Sequence, residues 1–179
     1  MNAMHLSLIG FMGSGKSTVG KMLADRLGRP FVDTDAMVAE ALGMPIMEVF
    51  SQLGEPVFRE AEQDALSEAL RAQGPIVLAT GGGTPCAEGA MEWMRRQSLV
   101  VHLKPPFDEL LASLESSTHE RPLIEGKTGA ELRQFVERMM LTRAACYGSA
   151  HVTWTQSLRS DEAIDDALAS IRWRLGSDA

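Results

Sequence analysis

Gly10-Phe11-Met12-Gly13-Ser14-Gly15-Lys16-Ser17-Thr18 follows the short apolar run Leu6-Ser7-Leu8-Ile9 and leads into the helical-looking stretch Val19 to Leu27. The order is strand, glycine-rich turn, helix. A loop that wraps a phosphate turns its backbone amides inward, and side chains there would obstruct the anion, so Gly10, Gly13 and Gly15 supply the room. The start of the helix adds unpaired amides and the positive end of its dipole. In this frame Gly13, Ser14 and Gly15 cradle the phosphates of a nucleotide, and Lys16 reaches the β and γ phosphates as a point charge. The Ser17 hydroxyl ligates magnesium, while Thr18 packs or helps to hold the loop. The loop alone leaves open whether the phosphoryl group goes to water or to another molecule.

At 179 residues the chain is long enough for one well-buried core and short for two, so a single domain over residues 1–179 is expected. Its composition, 45% hydrophobic and 23% charged with a net charge of −7, is that of a soluble enzyme and offers no broad basic field for nucleic acid. An acidic protein that binds an acidic nucleotide must concentrate positive charge locally, and Lys16, Arg59, Arg121 and Arg143 are the candidates. Cys86 and Cys146 lie far apart and lack metal-ligand spacing. Neither a disulfide nor a zinc site is therefore expected, and the compartment reads as reducing. The chain has no leader-like stretch before its first strand and no run of membrane-spanning length, which predicts a soluble cytoplasmic protein without a membrane partner. The eleven methionines read as core filler.

Beyond the first helix, Phe31-Val32-Asp33 reads as a second strand that ends on Asp33-Thr34-Asp35. Ligands of open parallel sheets bind beyond the carboxyl ends of the strands, so both carboxylates face the region of the phosphate loop. Asp33 is placed for magnesium or its waters. Asp35 is placed either for the hydroxyl of an acceptor or as the cap of the helix beginning near Ala36. Residues 36–73 read as helix broken at Gly43-Met44-Pro45 and Gly54-Glu55-Pro56. Arg59 and Glu62 fall on one helical face. They are either a surface salt bridge worth about 0.3 kcal/mol or an arginine oriented to receive a carboxylate.

A third strand, Ile76 to Ala79, runs into Gly81-Gly82-Gly83, where three glycines at the end of a buried strand suggest backbone in close contact with a ligand. Ser98 to Leu103 is the fourth strand, with His102 in a structural role. Residues 115–127 are polar, punctuated by proline and glycine and poor in apolar anchors, and read as a mobile cover that carries Arg121. A long helix from Glu131 to Tyr147 carries Arg138 and Arg143, either of which can face solvent. The fifth strand, His151 to Trp154, exits at Thr155-Gln156-Ser157 toward the nucleotide, and an amphipathic helix closes the chain. Five strands alternating with helices make a doubly wound α/β sheet.

Taken together and in order, the phosphate loop, Phe31-Val32-Asp33-Thr34-Asp35, Glu55 to Glu62, Gly81-Gly82-Gly83, Arg121-Pro122-Leu123 and Arg143 ahead of Tyr147 resemble the shikimate kinase family. The resemblance covers nearly the whole chain. It implies five parallel strands in the order 2-3-1-4-5, a substrate-binding region over residues 34–62 and a lid over residues 115–127. It further implies a monomer that transfers the γ-phosphoryl group of ATP, with Mg2+, to the 3-hydroxyl of shikimate on the route to aromatic amino acids. On this reading Asp35 bonds the shikimate hydroxyls and assists deprotonation, Arg59 and Arg143 grip the carboxylate, and Gly81, Gly82 and Gly83 present backbone to the ring. Ser17 and Asp33 hold magnesium, and Lys16 and Arg121 neutralise charge on the transferring group.

Members that resemble this chain often carry an arginine seven residues before the lid arginine, stacked on adenine; here that position is Leu114, which leaves apolar contact alone to hold the base. The lid is also acidic, with Glu115, Glu120 and Glu125. The alternatives are a gluconate-type kinase on the same scaffold and a silent nucleotide-binding protein. The second has no physical need for acceptor-side and donor-side groups together.

Overall fold

The computed structural model describes residues 4–117 and 122–176. Five strands, β1 (His5–Ile9), β2 (Phe31–Asp33), β3 (Val77–Ala79), β4 (Ser98–Leu103) and β5 (Val152–Trp154), form one parallel sheet in the order β2-β3-β1-β4-β5. The expected topology is therefore the observed one. Parallel strands need crossovers, and helices supply them, so both faces of the sheet are covered and both must be apolar. Successive side chains of a strand point to opposite faces. Leu6 and Leu8 of β1 and Leu99, Val101 and Leu103 of β4 accordingly pack into one layer, while Ile9 and Val100 pack into the other.

The first layer is closed by α1 (Lys16–Leu27) and by α8 (Asp161–Ile171) through Leu23, Ile164 and Leu168. Gly20 of α1 lies against the Phe31 ring, with no room for a side chain between helix and strand. The second layer is closed by α4 (Gly54–Leu70), α5 (Ala90–Gln97), α6 (Phe107–Glu115) and α7 (Gly129–Gly148), with Leu66, Met94, Leu110 and Val136 inside. A smaller apolar cluster of Val38, Val49, Phe58 and Ala65 joins α4 to α2 (Thr34–Leu42). Among the described residues, no helix is long and apolar enough to cross a membrane.

The helical break expected at Gly54-Glu55-Pro56 falls at Gly54, whose φ of 84° and ψ of 168° separate α4 from the π turn Val49–Leu53 that follows the short α3 (Ile46–Glu48). Glycine adopts that backbone without the strain a side chain would add. Other local expectations are corrected. The cap of α2 is Asp33, whose Oδ1 accepts from the Asp35 amide at 3.0 Å, so Asp35 sits in the first turn and is not the cap.

Cys86 and Cys146, expected to be unpaired, form a disulfide across 60 residues, with Cα atoms 5.5 Å apart. Distance in sequence did not separate them, because the 3-10 turn Thr84–Cys86 at the end of the glycine loop packs against the last turns of α7. The half of the 115–127 segment after Arg121 is anchored as well. Ile124 is fully buried in the core at the turn Pro122–Ile124, an apolar contact that a reading of periodicity passes over in so short a turn.

Candidate active site

The phosphate loop joins β1 to α1 at the carboxyl edge of the sheet. Gly13 and Gly15 have φ of 77° and 88°, a left-handed backbone that a side chain at either position would resist, and the Ser14 amide donates to the Phe11 carbonyl at 3.2 Å within the turn. The Lys16 ammonium folds over the loop and donates to the carbonyls of Gly10 and Phe11, both at 2.9 Å. The Ser17 hydroxyl, in the first turn of α1, donates to Asp33 Oδ2 at the end of β2 at 2.6 Å. Hydroxyl and carboxylate oxygens are the hard donors that magnesium prefers, and it commonly takes only one or two protein ligands beside phosphates and water. The chemistry of this pair fits that ion.

Beside the loop lies a pocket of about 200 Å³ whose lining includes Asp35, Arg59, Glu62, Gly81, Gly82, Gly83 and Arg143. Arg59 is held by two carboxylates. Its Nη1 donates to Glu62 Oε2 at 2.8 Å, and its Nη2 donates to Glu55 Oε1 at 2.9 Å. Glu62 is 1% exposed and also accepts from the Thr84 hydroxyl at 2.6 Å. The Arg59–Glu62 pair is therefore no surface bridge, because a carboxylate out of water requires its partners in place. Burial pulls the Arg59 pKa down, but the bonds and charges of Glu62 and Glu55 outweigh it and raise the pKa, so the guanidinium stays charged.

Arg143, from α7, is the second cation. It is 7% exposed, its Cζ sits 5.3 Å from the centre of the Phe11 ring, and its Nη1 has no hydrogen-bond partner among the described residues. A buried guanidinium N–H without a partner is costly, and this one points at Gly82, where an added methyl would lie 3.2 Å away. Arg138, by contrast, faces solvent.

The triple glycine makes the convergence possible. A methyl on Gly81 would collide with Glu62 Oε1 and lie 2.9 Å from Asp35 Oδ1, and one on Gly83 would lie 2.7 Å from Arg59 Nη1. Each glycine thus yields space to a different charged group. Tyr147, one helical turn after Arg143, donates its hydroxyl to the Gly82 carbonyl at 2.6 Å and packs at a tilt against His102, 4.9 Å between ring centres. Its pKa is raised by burial.

The same contacts show what spacing alone passes over. Thr84 and the Tyr147 hydroxyl hold the glycine loop, and Phe50 and Phe58, ring centres 4.6 Å apart, wall the pocket from the π turn and α4. The single tyrosine of the chain, four residues after Arg143, was the available signal for one of them.

A second cleft, about 320 Å³, runs from Gly13, Ser14, Gly15 and Thr18 to Pro105, Glu109, Ser113, Ser157, Leu158 and Arg159. Ser157 donates to Glu109 at 2.9 Å and Arg159 pairs with the same carboxylate at 3.1 Å, joining the exit of β5 to α6. Leu114 does not face this cleft. It is fully buried, and a methyl on Gly13 would lie 2.9 Å from its Cδ2, so it supports the phosphate loop from beneath and offers no face to a base. Arg121 lies outside the described residues.

A phosphate-wrapping loop with a lysine and a hydroxyl–carboxylate pair, opening beside a second pocket that concentrates guanidinium groups in an acidic protein, defines a nucleotide-dependent small-molecule kinase of the P-loop class. The family model for shikimate kinase matches residues 12–172. A shikimate kinase of Parabacteroides distasonis is 37% identical over 147 residues, covering 82% of this chain and 84% of that protein. The crystal structure of shikimate kinase from Bacteroides thetaiotaomicron superposes with a TM-score of 0.86 at 32% identity, covering 98% of this chain and 100% of that one. The enzyme from Acinetobacter baumannii, solved in complex with shikimate, gives a TM-score of 0.83 at 30% identity and covers 97% of this chain and 93% of that one. The chain belongs to the shikimate kinase family.

Proposed function

We propose that the chain transfers the γ-phosphoryl group of ATP to the 3-hydroxyl of shikimate, giving shikimate 3-phosphate and ADP on the route to aromatic amino acids. The observation that carries this reading is the meeting of Asp35, Arg59, Arg143 and the triple glycine in one pocket beside the phosphate loop. Two guanidinium groups suit a carboxylate, one carboxylate suits hydroxyls, and bare backbone suits the close approach of a rigid ring.

In this mechanism the amides of Gly13, Ser14 and Gly15, with Ser17 and Thr18 at the helix start, hold the phosphates. Lys16 exchanges loop carbonyls for β and γ phosphate oxygens. Ser17 and Asp33 hold magnesium, which when bound neutralises phosphate charge. Arg59 and Arg143 take the carboxylate and fix the ring, so that its 3-hydroxyl faces the γ phosphorus and Asp35. The hydroxyl oxygen forms the new P–O bond as the bond to the β-phosphate oxygen breaks, and its proton goes to Asp35. Residues 34–62 act as the acceptor-binding region, and residues 115–127 act as a lid that brings Arg121 to the transferring group and excludes water. The enzyme works as a cytoplasmic monomer, without nucleic acid or membrane.

The test is ADP release from Mg-ATP with shikimate, gluconate or no acceptor, with mass detection of the product. Shikimate-dependent release of a product heavier by one phosphoryl group is expected; release with gluconate alone would move the assignment to that acceptor. In the same assay Asp35→Asn is expected to keep ATP binding and lose most turnover, by about 100-fold or more. Turnover near that of the wild type would remove Asp35 from the chemistry.

A further inference from the structure

The Cys86–Cys146 bond joins two of the elements that line the acceptor pocket, the turn after β3 and helix α7. Gly81 to Cys86 form one compact turn, in which the Thr84 amide donates to the Gly81 carbonyl at 3.3 Å and the Cys86 amide to the Gly83 carbonyl at 2.9 Å. Cys146 directly precedes Tyr147 and follows Arg143 by three residues on α7. The disulfide and the Tyr147–Gly82 hydrogen bond therefore close a ring: Gly82 along the turn to Cys86, across to Cys146, and from Tyr147 back to Gly82. Arg143, whose buried Nη1 faces Gly82, is held against the loop by that ring.

Cys86 is exposed and Cys146 half-buried, so a thiol reaches the bond from solvent at Cys86. We propose that Cys86 and Cys146 form a redox-modifiable clamp on the acceptor pocket, whose oxidised state holds Arg143 against the Gly81–Gly83 backbone and raises affinity for the acceptor carboxylate. The proposal rests on the assignment of that pocket to the acceptor. The chemistry is ordinary thiol–disulfide exchange with a dithiol. A dithiol thiolate attacks the exposed Cys86 sulfur, the Sγ–Sγ bond breaks, and Cys146 leaves as a thiolate and takes a proton. The second thiol of the reductant then displaces Cys86 from the mixed disulfide. The net change is two cysteine thiols gained and the dithiol oxidised to its disulfide, with two electrons and two protons transferred.

Reduction leaves the Tyr147–Gly82 bond and the packing of α7 in place, so the fold persists while the alignment of the loop with Arg143 loosens. Coupling of this kind typically changes an affinity by about fivefold or more. Arg143 also packs on Phe11 of the phosphate loop, but the hydrogen bonds described above for Lys16, Ser17 and Asp33, the groups assigned to the nucleotide and its metal, run to neither clamped element.

The experiment compares the full-length protein after air oxidation with the same protein reduced by dithiothreitol and desalted without oxygen. Alkylation followed by mass measurement reports the thiols. KM for shikimate and for ATP, together with amide hydrogen exchange over residues 81–86 and 143–149, reports the pocket. The expected result is no alkylatable thiol in the oxidised form, a KM for shikimate about fivefold or more higher after reduction, and faster exchange in both segments. The value of kcat and the KM for ATP should change by less than about twofold. Cys86→Ser, at an exposed position, is expected to match the reduced enzyme and to ignore the reductant.

Equal KM for shikimate and equal exchange in the two states would overturn the clamp, as would two free thiols after oxidation. So would a redox response that survives in Cys86→Ser. An absence of shikimate turnover in both states would instead refute the assigned reaction, and the exchange data would still decide the clamp.

Discussion

Glu62 is the residue whose replacement tests the architecture of the pocket most directly. It is buried, it accepts from Arg59 at 2.8 Å and from Thr84 at 2.6 Å, and both bonds are charge-assisted. Glu62→Gln keeps the shape of the side chain but supplies one acceptor oxygen where two are used, and it turns an amide N–H toward a donor. A hydrogen bond to a charged group is worth about 1.5–3 kcal/mol, so the loss is about 2 kcal/mol. The Arg59 side chain retains solvent access, which keeps the figure below that of a fully buried ion pair. For a domain of this size about 2 kcal/mol corresponds to a fall in Tm of roughly 4–8 °C.

The functional consequence is larger than the stability change implies. Without Glu62, Arg59 keeps only Glu55, an exposed carboxylate at the rim, and swings toward it. A displacement near 1 Å in a group that positions substrate costs up to about 100-fold, so KM for shikimate is expected to rise by about tenfold or more while KM for ATP stays near that of the wild type. A coupled ADP-release assay at varied shikimate, alongside a thermal melt, measures both. Glu55→Gln is the comparison, with less than about 1 kcal/mol lost because the pair is exposed. A Glu62→Gln enzyme with lowered Tm but unchanged KM for shikimate would refute the claim that Glu62 sets Arg59 for the acceptor. An unchanged Tm would refute the buried-pair reasoning itself.

Two further outcomes are expected. Asp33→Asn retains an oxygen to cap α2 and so barely changes Tm, but it removes the charge beside the Ser17 hydroxyl; titration of ADP release with magnesium should show apparent affinity lower by about tenfold. His102, pushed down to about 4 by burial and then by the charges of Lys104 and Lys16, is neutral in the folded protein near neutrality. The unfolded chain takes up that proton below its ordinary pKa of 6.5, so this contribution to stability is complete above pH 6.5 and is lost as the pH falls toward 4. Denaturant melts across that range should show His102→Gln losing less stability on acidification than the wild type, by on the order of 2 kcal/mol once solvent screening is allowed for. Burial also lowers the pKa of His5 and His151, which add slopes of the same sign to both proteins. Parallel pH profiles would remove His102 from the account.

Much of the fold was legible in local pattern. A strand buried on both faces is a short apolar run, a phosphate loop is a fixed spacing of glycines before a lysine, and amphipathic helices carry their period with them. Those features depend on residues near one another in the chain, so Gly10 to Thr18, the alternation of β1 with α1, the placing of Asp33 at a strand end and the five-strand order followed from sequence and family resemblance. The adjacency of Arg59 and Glu62 was also legible, because one helical turn fixes it.

What spacing could not decide was every choice that depends on which distant elements meet. Whether Glu62 is a surface partner or a buried anchor depends on Thr84, which arrives from the far end of β3. Whether Arg138 or Arg143 turns inward depends on the rotation of α7 against Phe11 and the glycine loop. Leu114 reads as a substitute at a nucleotide position, yet it is core, because α6 packs beneath Gly13. Cys86 and Cys146 look unrelated until the turn after β3 meets the end of α7. Local periodicity records which face of an element is apolar. Only the packed structure fixes what that face lies against, and at this site the partners across the pocket determine the charge, reach and orientation of each group.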